Sequence, residues 1–317
     1  MPPAGGNLMN NPPPLLEIKD LSINFPSEAG IVSVVDDFNL SIGRYDQCCL
    51  LGESGCGKTV AALAILNLLP PAAEIKGEII FEDRNLLSLT PDKIRQVRGK
   101  DIAIIFETPA SCLNPVMSIG KQIAEAIERQ GFTRKQARKA AIEILARTGV
   151  PDPEIRSRQY PHQFSGGMLQ RVMIAMALAA KPKLLIADEP TTALDPTVQM
   201  QIIELMQDVV NELSASLLLI THDLDVAAEL CANVAAMYAG QIVETGPLHK
   251  IFKSPRHPYV QALMKTFDHE RFCPICGSPP PLTAPPQGCR FHPRCPEANG
   301  ICSIEKPLLQ NGVRCSA

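Results

Sequence analysis

An α/β fold built on a parallel sheet is what this sequence predicts, and three observations predict it. Short apolar runs that read as buried strands, at residues 47–51, 102–106, 184–187 and 217–221, alternate with helical stretches. The first of these runs feeds a glycine-rich loop that opens a helix, Gly52-Glu-Ser-Gly-Cys-Gly-Lys58-Thr59. The third ends on two adjacent carboxylates, Asp188 and Glu189, followed by Pro190.

Across residues 15–45, Ile18, Leu21, Ile23 and Phe25, and then Phe38, Leu40 and Ile42, mark one face with polar residues between them, which predicts antiparallel β structure. Residues 47–51 form the strand into the glycine-rich loop and 60–69 the helix leaving it, with 102–106 a further buried strand. Ile119, Ile123 and Ile127 recur at helical spacing. Thr133 with Gln136 makes a capping box ahead of Ala137, Ala141, Ile144 and Leu145. A helix to Ala180, the strand at 184–187, a helix at 197–213, the strand at 217–221 and a late β segment at 236–243 complete the alternation. Beyond about Lys253, prolines and cysteines multiply and periodicity is lost, so this stretch is expected to be a separate appendage. There is no internal repeat.

At 317 residues the chain has room for one large domain plus that appendage, and its 45% hydrophobic and 20% charged residues are those of a globular protein. A net charge of −3 gives no broad positive field, which argues against nucleic acid as a partner. Residues 1–14, rich in Pro, Gly and Asn, lack the basic and apolar regions of a signal peptide and are expected to be a disordered arm. The uncharged stretch 59–73 falls short of the ~20 apolar residues that span a bilayer, so any membrane crossing belongs to other chains. Without a signal peptide the eleven cysteines are expected in the cytoplasm, as metal ligands or buried thiols rather than disulfides. Six of them lie from Cys273 onward.

In the glycine-rich loop, the backbone N–H groups of Gly52, Glu53, Ser54, Gly55, Cys56 and Gly57 and the helix N-terminus behind them suit a polyphosphate. Lys58 is placed to reach the β- and γ-phosphates and Thr59 to offer its hydroxyl to Mg²⁺. Charges at the end of an apolar strand are costly unless they have a task. Asp188 is expected to hold hydrated Mg²⁺, and Glu189 to polarise the attacking water as general base. Ser165, Gly166 and Gly167 open a helix and form a second anion site. Two such sites in one chain predict a nucleotide gripped from both sides, the second grip coming from another subunit.

This arrangement resembles the ATP-binding cassette (ABC) ATPases over roughly residues 15–265, through the phosphate loop, the signature Phe164-Ser-Gly-Gly-Met168 and the strand into Pro190. Ala193-Leu-Asp195 resembles the family's D-loop, and His222 its switch histidine. The resemblance implies a RecA-like parallel core, an antiparallel β subdomain and a helical subdomain at about 108–180, within a domain at 15–253. It also implies that His222 contacts the γ-phosphate, that Phe25 stacks on adenine and that Asp195 belongs to the nucleotide site. Phe106-x-x-Pro-x-x-x-Leu-Asn-Pro115, Tyr160-Pro-His-Gln-Phe-Ser-Gly-Gly-Met168, Ser254-Pro-Arg-His-Pro-Tyr259 and Gly288-Cys-Arg-Phe-His-Pro-Arg-Cys-Pro296 are similar to the ATP-binding subunits of bacterial dipeptide and oligopeptide importers. That branch implies a cytoplasmic, peripheral subunit of the inner membrane. It pairs head to tail with a homologous subunit, expected to be a different one, beneath two membrane permeases fed by an external solute-binding protein. The chain departs from the family twice. Glu107 replaces the Q-loop glutamine, where a carboxylate still suits Mg²⁺ but does not donate a hydrogen bond unless protonated. Tyr45 stands where relatives usually have glycine.

Cys289, Cys295, Cys302 and Cys315, at 254–317, lack the paired knuckles of most structural zinc modules. Four thiolates without such pairs suit an iron–sulfur cluster, and the importer subunits carry a [4Fe–4S] centre in this context. It is expected to be structural and far from the γ-phosphate. Cys273-Pro-Ile-Cys276 keeps Zn²⁺ open as the alternative, shared with two of the other cysteines. The transported solute also stays open: dipeptides, longer peptides, nickel complexes or another small solute. Two readings of other classes compete. A soluble ABC protein of repair or translation needs a long coiled coil or a second cassette, which the 107 residues from Lys58 to Ser165 and the single cassette do not provide. A regulator without turnover has no need of both Glu189 and His222.

Overall fold

Strands β1 (Leu16–Ser27) and β2 (Gly30–Ile42) pair as an antiparallel hairpin in the computed structural model, which describes residues 13–28, 30–192, 194–266 and 275–316. The expected arm, but for its last two residues, and Cys273 lie outside the described residues. The pairing shifts register between Ile18 and Leu21, where the sequence alternation also skips a residue, so a bulge keeps both residues on the buried face. Strand β3 (Gln47–Leu51) leads to helix α1 (Lys58–Ile65), after which β4 (Glu74–Phe81) and β5 (Arg84–Asn85) complete a sheet of order β2-β1-β4-β5. Helix α2 (Pro91–Val97) then precedes β6 (Ile102–Ile105).

A run of helices follows: α3 (Pro109–Cys112), α4 (Ile119–Glu128), α5 (Arg134–Arg147), α6 (Pro153–Arg156) and α7 (Gly166–Ala180). The Thr133–Gln136 capping box forms as expected and fixes the start of α5. The chain returns to the core through β7 (Leu184–Asp188), α8 (Pro196–Leu213), β8 (Ser216–Thr221), α9 (Leu224–Leu230), β9 (Asn233–Tyr238) and β10 (Gln241–Pro247). Helices α10 (Leu248–Lys253) and α11 (Pro258–Thr266) close the regular structure.

The second sheet has the order β10-β9-β3-β8-β7-β6, parallel except for the β9–β10 pair. Its central strands are buried on both faces, which is why they read as unbroken apolar runs. In β3, Cys48 and Leu50 enter the core shared with the antiparallel sheet, while Cys49 and Leu51 enter the core shared with α4, α7 and α8. In β8, Leu218 and Ile220 take the first side and Leu217 and Leu219 the second. The late β segment expected at 236–243 is two antiparallel strands, turned at Ala239 and Gly240, both with positive φ (43° and 90°).

The segment 275–316 has little regular structure and is fastened by buried arginines. Arg290 donates to the Ala239 carbonyl and to Asp36 Oδ2 at 2.9 Å. Arg314 donates to the Ile242 carbonyl and Asp37 Oδ2, at 2.9 and 2.8 Å. Phe291 packs among Tyr238, Tyr259 and His257, inside the same buried cluster as α4 and α7. The stretch expected to stand apart therefore shares the core of the parallel sheet.

Candidate nucleotide site

Four adjacent parallel strands, β3, β8, β7 and β6, deliver their carboxyl ends to one edge of the sheet, where ligands of open α/β sheets bind. From β3 comes the phosphate loop, from β7 Asp188 and Glu189, from β8 His222 and from β6 Glu107. A cleft of about 780 Å³ lies there, lined by Gly52, Glu53, Ser54, Gly55, Gly57, Lys58 and Thr59 together with Glu107, Glu189 and His222.

The loop's shape depends on its glycines at two points. Gly57 has φ 105°, and a β-carbon there would stand 2.7 Å from the Val34 carbonyl oxygen. At Gly52 it would stand 2.3 Å from the Met237 carbonyl oxygen, so the loop lies against β9 with no space for a side chain. Lys58 is 6% exposed, and its Nζ donates to the Gly52 and Glu53 carbonyls at 2.7 and 3.1 Å. The ammonium is thereby held inside the loop it serves.

Asp188 is 2% exposed, and its Oδ1 has no hydrogen-bond partner among the described residues. Burial raises its carboxyl above the usual range. The hydroxyl of Thr59 opposes that shift, while the charges of Glu189 and Glu107 add to it. A buried carboxylate oxygen without a donor, near a threonine hydroxyl, suits a hard oxygen-binding cation, so Asp188 and Thr59 fit Mg²⁺.

Glu189 has φ 48°, and its N–H donates to the Ile220 carbonyl at 2.9 Å. Its carboxylate lies 2.9 Å from His222 Nδ1 through each oxygen, and Thr192 Oγ1 donates to Oε2 at 3.0 Å. A carboxylate only accepts, so Nδ1 of His222 carries the proton.

Other expected site residues stand elsewhere. Phe25 pairs with Val32 at the far end of β1 and packs against the antiparallel core, outside the cleft lining. Cys56 is buried beneath the loop. Ser165 caps α7, its Oγ accepting from the Met168 N–H at 3.4 Å, with Gly166 in open space beside it. Asp195 caps α8 through the Val198 N–H at 3.0 Å. Ser165, Gly166, Gly167 and Asp195 do not line this chain's cleft.

One wall of the cleft was not foreseen. Leu263, Thr266, Ile275, Gly277, Ser278, Pro279 and Arg294 line it from α11 and the C-terminal segment. Tyr259 accepts from the Glu53 N–H at 3.1 Å, and Arg294 donates to both Glu53 carboxylate oxygens. The quoted sequence stretches around Tyr259 and Arg294 carried the signal, though nothing in them names Glu53 as the partner.

Cys289, Cys295, Cys302 and Cys315 gather in one neighbourhood. Burial raises the Cys289 and Cys295 thiols, and Cys302 and Cys315 add to the rise at both. The four thiols lie near enough to affect one another's charge. Among the described residues no group of three or more His, Cys, Asp or Glu side chains is placed to hold a metal ion, so the expected cysteine centre has no formed site here. Cys276 is exposed.

Residues 35–192 match the family model described as ABC transporter, and residues 243–302 the one described as oligopeptide/dipeptide transporter, C-terminal region. The oligopeptide transport ATP-binding protein OppD of Bacillus subtilis (strain 168) is 46% identical over 93% of this chain and 85% of its own length. The chain belongs to the ATP-binding proteins of this ABC transporter family. The dipeptide transport ATP-binding protein DppD of Escherichia coli (strain K12) is 44% identical over 93% of this ABC ATPase and 92% of itself. The fold is also that of the dimeric ATP-binding cassette MJ0796 bound to ADP and Pi, with TM-score 0.66, 24% identity, and 74% of this chain and 98% of that one covered. As a member of the family this chain is an ATPase for which ATP and Mg²⁺ are the expected cofactors. No helix among the described residues is long and apolar enough to cross a membrane.

Proposed function

We propose that this ATPase powers uptake of dipeptides or oligopeptides, as a peripheral subunit on the cytoplasmic face of the bacterial inner membrane. Residues 15–253 form the ATPase domain on this reading, and 254–317 the importer-type extension. One observation carries it. The phosphate loop, Glu189 and His222 meet in one cleft, and part of that cleft's wall comes from the segment that matches the oligopeptide/dipeptide transporter model. Ser165–Gly167 and Asp195 lie off that cleft, which supports head-to-tail pairing in which a second cassette supplies its signature to this chain's nucleotide. A different homologous subunit is proposed as that partner, beneath two permeases and an external solute-binding protein.

Within the site, Lys58 and the loop N–H groups bind the β- and γ-phosphates, and Phe25 approaches adenine. Thr59, Asp188 and Glu107 would hold Mg²⁺, which when bound neutralises phosphate charge. Glu189 takes the proton of the attacking water, and His222 holds the γ-phosphate side of the cleft. Cys289, Cys295, Cys302 and Cys315 would hold a structural [4Fe–4S] centre, with no part in hydrolysis. Their clustering in the sequence, without the paired knuckles of zinc modules, supports that assignment.

Affinity-tagged protein expressed from its native chromosomal context is expected to co-purify with two permeases and a second cassette, and deletion of its gene to abolish uptake of labelled peptides. Recovery without any membrane subunit, with peptide uptake intact, would overturn the reading.

A further inference from the structure

Arg294 lies in the loop between Cys289 and Cys295, 241 residues from the phosphate loop it touches. Nη1 donates to Glu53 Oε2 at 2.9 Å and Nη2 to Oε1 at 3.2 Å, a two-point clamp. Nη1 also donates to the Tyr238 hydroxyl at 3.2 Å, Nη2 to the Ile275 carbonyl at 3.3 Å and Nε to the Cys276 carbonyl at 3.0 Å. A guanidinium has five N–H donors, and each has a partner here. The side chain is 4% exposed. Although Arg294 lines the cleft, it has no donor left for a phosphate, so any effect it has on the nucleotide passes through Glu53.

Glu53 is the residue that requires such a partner. It places a carboxylate on the lining of a cleft built for a polyanion, and its carbonyl accepts from Lys58 Nζ. Unpaired, that carboxylate would repel the phosphates and compete with them for the Lys58 ammonium. We propose that Arg294 is a positioning residue for ATP. By clamping Glu53 it cancels the loop's own negative charge and fixes the loop, so that the C-terminal extension sets the nucleotide affinity of the ATPase core. This rests on the cleft being the ATP site.

The test is equilibrium binding of a fluorescent ATP analogue to the full chain, with Lys58→Ala as the reference for the site itself. Arg294→Ala is expected to weaken ATP binding about ten-fold, a typical coupling between distinct sites, and to weaken ADP less because it carries less charge. The loss should shrink as salt rises. Glu53→Gln in the Arg294→Ala background should recover most of the affinity, a rescue that a purely structural role for Arg294 would not give. Arg294→Lys, which keeps the charge and the buried stem but not the two-point clamp, is the variant to read if Arg294→Ala unfolds, and its affinity should fall between wild type and Arg294→Ala. If Lys58→Ala abolishes binding but Arg294→Ala leaves it within two-fold, or if Glu53→Gln fails to rescue, the inference is overturned while the site stands. If Lys58→Ala binds ATP normally, the site assignment falls, and this inference with it.

Discussion

His222 Nδ1 stands 2.9 Å from both carboxylate oxygens of Glu189, and Thr192 occupies Oε2 as well. A carboxylate oxygen has two lone pairs, so Oε1, which meets only His222, keeps one for a water that Glu189 would deprotonate, and a shift of His222 would widen that access. His222 is suited to move, being 61% exposed, whereas Glu189 is 13% exposed. Glu189→Gln keeps the shape and removes the base. Steady-state phosphate release from the assembled complex is expected to fall by about a hundred-fold or more, while nucleotide binding persists and the closed dimer accumulates. Wild-type turnover in that variant would remove Glu189 from the mechanism.

Glu107 adds a third carboxylate to the Asp188–Glu189 pair and helps to raise the Asp188 carboxyl. If it works as a cation ligand, Glu107→Gln trades a charged acceptor for a neutral one. ATP hydrolysis at saturating Mg²⁺ is then expected to stay within a few-fold, with more Mg²⁺ needed to reach half of it. Activity that rises by orders of magnitude would mean that this site is naturally degenerate and that the partner cassette does most of the hydrolysis.

His257 offers a stability measurement independent of nucleotide. It is fully buried beside Phe291 and accepts from the Tyr259 N–H at 3.0 Å. Burial chiefly pulls its pKa down from 6.5 to about 4, with the Arg314 charge helping. The folded state therefore holds the ring neutral where the unfolded chain protonates it. The stability this residue contributes is complete above pH 6.5 and is lost as pH falls toward about 4, by about 3 kcal/mol in all. Denaturant unfolding across that window should show a steeper acid limb in wild type than in His257→Asn. Parallel limbs would show that His257 titrates normally.

The sequence was legible where burial is uniform and chemistry is local. The apolar runs of β3, β7 and β8 were found because strands buried on both faces leave no alternation to misread, and the residues at their ends followed from adjacency. The β9–β10 turn was missed because buried, apolar Ala239 reads as strand, although Gly240 beside it is a turn signal. Tyr45 becomes intelligible only with its backbone, since φ 65° is a left-handed conformation that favours the glycine of relatives. Here its N–H is held by Ser216 Oγ at 2.8 Å. The Arg294–Glu53 clamp joins opposite ends of the chain, and no local pattern in the sequence encodes such a pair.

The extension is rich in prolines and poor in large apolar residues, yet Arg290, Arg294, Arg314 and Phe291 tie it to the core. A cysteine centre there would add to an ordered segment instead of creating one. Its loss should therefore be local, loosening the residues around Cys289, Cys295 and Cys302 and leaving the ATPase core folded. Protein purified without oxygen is expected to be brown and to carry about four irons per chain, as a [4Fe–4S] centre requires. Cys302→Ser should remove the iron. Because Cys289 and Cys295 bracket Arg294, that variant should also weaken ATP binding, though no more than Arg294→Ala does. Stoichiometric zinc without iron in anaerobic protein would reject the cluster and bring Cys273 and Cys276 forward as ligands. Neither metal, with unchanged ATP affinity in Cys302→Ser, would leave the four thiols as packing residues.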